Sequence, residues 1–276
     1  MAAPKKTVKK AAPTKAPSTP RWSLEALAKK LGVYLAPGAT IKAWSYSTYT
    51  QYLQCPLSVA LEKVLKIRVE ETLNEAMLRG GQLHKAAELY VKAPKKPRAV
   101  PTELRSIAEK MEDLRRKKAQ AELEWAFDIG WNPVSWFARD AWLRMKVDAM
   151  HHQESPPEVD IVDYKTGKSY PEHAQQRSLY GLGGLQLVQL GQLAGGSKDV
   201  ALRAQHIYTD TGQSATEEFT LKQLPGLKKE WLARTQNMLA DTTFKPVPHA
   251  ARQGSKPYCR WCKFRKSNGG PCPEET

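Results

Sequence analysis

All four cysteines of the chain fall into one constellation: Cys55 stands alone near the front, and Cys259, Cys262 and Cys272 crowd the last eighteen residues. The terminal run reads Cys259-Arg-Trp-Cys262, then nine residues, then Cys272. Four soft ligands, three clustered and one about two hundred residues away, point to a metal or cluster that clasps the ends of a domain together. Four cysteines in 276 residues do not make a disulfide framework, so ligation is their expected use. The constraint is severe, because any fold must carry residue 55 to the neighbourhood of residue 260. Inside the bracket lie Asp148 and, fifteen residues on, Asp163-Tyr164-Lys165-Thr166-Gly167-Lys168. Two acids with a lysine two residues after the second are the minimal kit for metal-assisted phosphodiester hydrolysis.

Charge supports a polyanionic partner. The formal net charge is +15, from 43 basic against 28 acidic residues, and nucleic acid is the commonest partner of such an excess. The charge is unevenly placed. Lys5, Lys6, Lys9, Lys10 and Lys15 stand in residues 1–20 among Ala, Pro, Thr and Ser with no acid, a composition expected to form a disordered basic tail. Residues 21–276 then form one domain. No acid falls between Asp241 and Glu274, where Lys245, Arg252, Lys256, Arg260, Lys263, Arg265 and Lys266 surround the cysteines of the segment 245–276. That is a phosphate-binding pattern. No apolar run reaches eighteen residues and the N-terminus lacks the apolar stretch of a signal peptide, which predicts a soluble protein of the cytoplasm.

Periodicity divides the chain. Leu24, Leu27, Ala28 and Leu31 predict a helix over 23–31 capped by Ser23. Tyr46, Tyr49, Tyr52 and Leu53 predict helix over 45–66, interrupted at Pro56, and another is expected over 75–92. Thr102 is expected to cap a helix carrying Leu104, Ile107, Met111 and Leu114 on one face. From about residue 121 the period becomes two: Leu123, Trp125 and Phe127 alternate with polar neighbours, as do Trp142 to Asp148, and 159–164 is a buried strand. A glycine-broken helix over 172–194, a strand over 201–209, a polar hairpin at 210–214 and a helix over 224–240 complete the order. The expected fold is α/β (α+β), a mixed central sheet flanked by helices. No glycine-rich phosphate loop is present, so no ATP-driven motor is expected.

Asp148, at the end of one strand, and Asp163, late in the next, are expected to converge and offer hard oxygen ligands to Mg²⁺ or Mn²⁺. Lys165 shares the strand face of Asp163 and is placed to orient water and stabilise phosphate charge. His84, on the helix of 75–92, is a borderline ligand suited to manganese, with Glu88 one turn on. Gln176 and Tyr180 are spaced i,i+4 and point one way, toward the lysine or a phosphate. One of Glu122 and Glu124 faces the site, and the sequence does not say which. Trp261 and Phe264, among basic residues, either stack on an unpaired base or pack around the cysteines.

Taken together, these residues resemble the RecB-like exonucleases of the PD-(D/E)xK superfamily, in the iron–sulfur branch that includes the CRISPR-associated RecB-like nucleases. The resemblance spans about residues 44–273: the Tyr-x-x-Cys55-Pro string, Gly80-x-x-x-His84, Asp148, Val162-Asp163-Tyr164-Lys165-Thr166-Gly167-Lys168, Gln176-x-x-x-Tyr180 and the terminal cysteines. It implies a restriction-endonuclease-like fold. It also implies His84, Asp148 and Asp163 as metal ligands with the Tyr164 carbonyl, and Lys165 as the catalytic lysine. Gln176 and Tyr180 become DNA-binding residues, and Cys55, Cys259, Cys262 and Cys272 become ligands of a [4Fe–4S] cluster. The gap from Cys262 to Cys272 is longer than the family's usual one, and zinc remains an alternative occupant. The expected activity is metal-dependent cleavage of DNA with single strands or free ends, in recombination, repair or degradation, alongside a helicase or recombination partner. End-trimming for CRISPR adaptation and a non-catalytic DNA-binding module on the same fold are the alternatives.

Overall fold

The computed structural model of the chain describes residues 23–70, 74–95, 97–246 and 258–273; the expected basic tail lies outside them. The expected strand segments become β1 (Gln120–Phe127), β3 (Leu143–Glu154), β4 (Pro157–Lys165) and β5 (Ala201–Tyr208), and the structure adds β2 (Pro133–Val134) and β6 (Ser214–Phe219), six strands among the described residues. They form one sheet in the order β2-β1-β3-β4-β5-β6. β4 and β5 pair in parallel and every other neighbouring pair is antiparallel, so the sheet is mixed as expected. The parallel crossover from β4 to β5 is made by the helix His173–Gln189, as parallel pairing requires.

Among the described residues seven α-helices accompany the sheet: α1 (Leu24–Lys30), α2 (Tyr46–Gln54), α3 (Pro56–Val59), α4 (Glu75–Lys92), α5 (Ala108–Arg116), α6 (His173–Gln189) and α7 (Leu224–Ala240). Ser23, Ser45 and Asn74 cap α1, α2 and α4 with side-chain oxygens that accept from Ala26 N, Thr48 N and Met77 N. The expected break at Pro56 occurs: Cys55 is extended, and Pro56 opens α3 at a position where its missing N–H costs nothing. Thr102 does not cap an α-helix. Residues 102–107 are a 3₁₀ segment entered from Pro101, and α5 begins only at Ala108. Three residues per turn brings Leu104 and Ile107 onto one buried side, so the apolar spacing is kept by a tighter helix.

The glycine-broken helix expected over 172–194 is instead continuous to Gln189. Its glycines are contact points. A Cβ at Gly181 would lie 2.7 Å from the Phe219 ring, and one at Gly184 2.7 Å from Leu202 Cδ1, so side chains there would lift α6 off the sheet.

The sheet separates two cores. Trp125, Phe127, Leu143, Met145, Val147, Val159, Ile161 and Leu202 join α1–α3, α6 and α7 on one face. Ala121, Ala149, Val162, Tyr164 and Ile207 join α4, the 3₁₀ segment and α5 on the other. Alternation along β3 therefore fails once: Val147 belongs to the first core, Ala149 to the second and Met150 to the first again. β1 changes face at the matching place, between Leu123 and Ala121. The residues at the two changes are Asp148 and Glu122.

Candidate active site

The pairing of β1 with β3 includes Ala121↔Ala149 and Leu123↔Val147 but passes over Glu122 and Asp148. The pairing of β3 with β4 ends at Ala149↔Val162, one residue before Asp148. Both ladders thus open at the same point. Asp148 is not at the end of a strand, as its sequence position suggested, but in the interior of β3. Polar His151–Glu154 continues the strand beyond it, paired with β4 out to Pro157. In the gap, the Tyr164 N–H donates to Asp148 Oδ2 at 2.7 Å, so a side-chain carboxylate replaces the missing backbone acceptor. Glu122 occupies the left-handed region at φ 54°. For a residue with a Cβ this costs on the order of 1–3 kcal/mol, and such strain persists where the surroundings over-determine it.

Asp163, 5% exposed, is held from several directions. Tyr180 Oη and Gln176 Nε2 donate to its Oδ1 at 2.8 and 3.2 Å, and the Lys165 ammonium lies 2.7 Å from its Oδ2. Burial pushes the Asp163 carboxyl up, but Lys165 and the Tyr180 hydrogen bond outweigh it and leave the group below its ordinary value. Asp148 goes the other way. Burial and the charge of Asp163 raise it, against the opposing hydrogen bonds of His84 and Tyr164 N. The acids titrate as a coupled pair with their values driven apart, Asp163 ionised first.

His84 Nδ1 stands 3.1 Å from Asp148 Oδ1, a bond that raises the imidazole above its usual value. His84, Glu122 and Asp148 each offer one ligand atom, and these atoms lie within 4.8 Å of one another. One imidazole nitrogen and two carboxylate oxygens at that spacing suit a divalent ion that prefers oxygen and tolerates nitrogen, as Mn²⁺ does. The chain's residues therefore fit such an ion. Glu122 is the acid that sequence reasoning left undecided. Glu124 points away and pairs with Lys146 at 3.3 Å. Glu88, one turn from His84, is held by Lys85 and Lys92 at 2.9 Å each and is not in the trio.

Asp148, Asp163, Lys165, Gln176 and Tyr180 line one open cavity of about 610 Å³. Gln176 and Tyr180 also brace Asp163, while the Tyr164 side chain is buried in the second core. The four cysteines form no disulfide and each is half-buried. Burial raises the Cys262 thiol, and Cys55, Cys272 and Cys259 raise it further, so all three lie within electrostatic reach of it. The nine-residue gap folds back: Cys272 N donates to Phe264 O at 2.9 Å and Gly270 N to Arg265 O at 2.8 Å. Gly270 is required there, since a Cβ would meet the Phe264 backbone at 2.2 Å. Phe264 is 1% exposed and packs in the core, whereas Trp261 is 69% exposed.

A mixed sheet with two acids and a lysine converging on adjacent strands is the architecture of a metal-dependent nuclease. The family model described as the PD-(D/E)XK nuclease superfamily matches residues 43–267, and the chain belongs to that superfamily. The superfamily's nucleases use Mg²⁺ or Mn²⁺ and act on DNA. A crystal structure of the protein SSO0001 is similar at 15% identity and a TM-score of 0.33, over 91% of this chain and 93% of that one. No curated protein matches the chain. Among the described residues no helix is long and apolar enough to cross a membrane.

His206, fully buried on β5, lies 3.7 Å from Asp163 Oδ2. Burial drives its imidazole from 6.5 down to about 3, so at neutral pH the contact is not an ion pair. Between those values the unfolded chain binds a proton that the native state refuses. The contribution of His206 to stability is therefore full above pH 6.5 and falls as pH drops toward 3, by up to ~1.4 kcal/mol per pH unit. Urea denaturation at pH 6.5 and pH 5 should show a shallower loss for His206→Gln than for the parent, by up to about 2 kcal/mol.

Proposed function

We propose that the chain is a RecB-like, metal-dependent DNA exonuclease that hydrolyses phosphodiester bonds at DNA ends in recombination, repair or DNA degradation. The observation that carries the reading is the meeting of Asp148, Asp163 and Lys165 on the wall of one open cavity, whose walls also hold Lys63, Arg144 and Lys146. Cations around paired acids suit a polyanion that presents its phosphates to a bound metal. His84, Asp148, Asp163 and the Tyr164 carbonyl are the proposed metal ligands, and Glu122 joins them. When bound, Mg²⁺ or Mn²⁺ supplies Lewis acidity and a water made nucleophilic at neutral pH.

The chain's own residues do the positioning. Lys165 holds Asp163 ionised and brings a positive charge to where negative charge grows on the phosphate oxygens. Gln176 and Tyr180 fix the other oxygen of Asp163 and stand on the substrate side of the cavity. Cys55, Cys259, Cys262 and Cys272 are the proposed ligands of a [4Fe–4S] cluster, with zinc as the other thiolate-bound possibility. Its role is structural, tying the segment after α7 to the start of α3.

The reading is tested with anaerobically purified protein, Mn²⁺ or Mg²⁺, and end-labelled linear and closed circular single-stranded DNA. Metal-dependent loss of the linear DNA alone is expected, abolished by Asp163→Ala and by Lys165→Ala. DNA binding without cleavage by the metal-loaded parent would leave a non-catalytic platform. Calorimetric titration with Mn²⁺ should show Glu122→Gln binding at least roughly tenfold more weakly, the loss typical of even an outer partner, and Glu124→Gln unchanged. Iron and acid-labile sulfide in equal amounts are expected on analysis, and Cys262→Ser should lose both and expose the segment after α7 to proteolysis. Stoichiometric zinc without iron would assign the cysteines to zinc.

A further inference from the structure

We infer that Trp136 is a stacking platform for an unpaired base, which makes single-stranded DNA the substrate form the cavity takes. The inference rests on the nuclease reading of the same site and adds the form of strand it accepts.

Trp136 lies in the loop between β2 and β3, half-buried, and lines the cavity that contains Asp163 and Lys165. The tryptophans on either side of it in sequence serve the core. Trp131, just before β2, and Trp142, just before β3, are 4% and 8% exposed and pack edge to face at 5.2 Å, which ties the segment between them to the core. Trp136 belongs to neither core cluster. A large aromatic side chain that does no core packing and faces an open cavity has a surface available to a ligand.

Its position is fixed. Arg144 Nε donates to the Trp136 carbonyl at 2.8 Å, which pins the loop to β3. Arg144 and Lys146, two apart on that strand, each hold a cation over the ring, 5.8 Å from its centroid. The phosphates of a bound strand would draw those two cations off the ring and leave its face to a base. Ser45 and Ser47, at the N-terminus of α2, line the same cavity with hydroxyls. A base paired and stacked within a duplex cannot offer its face to a side chain, so the platform selects an unpaired strand. The other aromatics on this wall are committed elsewhere, Trp44 and Tyr180 being buried and Tyr46 donating to Glu172 O, while Phe264 is buried and Trp261 does not line the cavity.

The test is fluorescence anisotropy on the full chain, with Ca²⁺ replacing Mg²⁺ to occupy oxygen ligands. The probes are a labelled single-stranded oligonucleotide, its duplex, and a strand of equal length with abasic residues near the end. The parent should prefer the base-bearing single strand. Trp136→Ala should weaken binding to that strand on the order of five- to a hundredfold, leave binding to the abasic strand unchanged and so erase the preference. Trp136→Phe should retain most of it, which separates loss of the ring from loss of the fold. Photocrosslinking from a terminal 5-iodouracil should map to Trp136. Equal affinity of the parent and Trp136→Ala for the base-bearing strand, tighter binding of the duplex, or a crosslink confined to Trp261 would each overturn the inference. None of these reads cleavage. A chain that binds as expected but cuts nothing would keep the platform and lose the nuclease, and one that cuts with Trp136-independent binding would do the reverse.

Discussion

Two carboxylates buried side by side are the constraint around which this molecule is arranged. Asp148 and Asp163 repel one another where water screens them poorly, and burial disfavours each charge in addition. Their neighbours offset that cost unequally. Asp163 receives an ammonium and two hydrogen bonds, while Asp148 receives one backbone N–H and the histidine of α4. The helices on both faces of the sheet are thereby tied to the same pair of acids, α4 through His84 and α6 through Gln176 and Tyr180. The neutral, buried His206 closes the environment on the β5 side without adding a charge.

The sheet makes room for this arrangement by breaking its own alternation. An uninterrupted ladder would place Asp148 between paired strands with its carboxylate directed to one face only. Opening both ladders at Asp148, with Glu122 left-handed opposite it, turns two carboxylates toward His84 and leaves Asp148 able to accept from Tyr164 N. The local strain at Glu122 is tolerable because pairing resumes on both sides of it, at Ala121 and Leu123.

Aromatic packing secures the segments around residues 44 and 264. Trp44 exchanges backbone hydrogen bonds with the start of β3, donating to Trp142 O and accepting from Arg144 N, and stacks on Trp231 of α7 at 5.9 Å. Phe264 is buried in the same core, and Lys263 reaches Glu62 at 3.1 Å. The C-terminal segment is therefore docked by an apolar anchor and an ion pair, beside which the cysteine side chains gather.

Much of this was legible in the residues. Helical spacing located α1, α2, α4 and α7, period two located β1, β3, β4 and β5, and the Asp163-x-Lys165 spacing put both groups on one face, where they meet at 2.7 Å. Local rules sufficed because these features depend on neighbours within a few residues. The sequence by itself determined the kinds of element, the candidate ligands and the family resemblance. Only the tertiary structure decided the rest. It chose Glu122 over Glu124 and Glu88, set Asp148 inside β3, turned the glycines of α6 into contacts and buried Phe264 while leaving Trp261 exposed. Each of those outcomes depends on a strand or helix far away in the chain. A one-residue break in alternation moves a side chain to the other face of a sheet, and periodicity cannot locate it until the partner strand is in place.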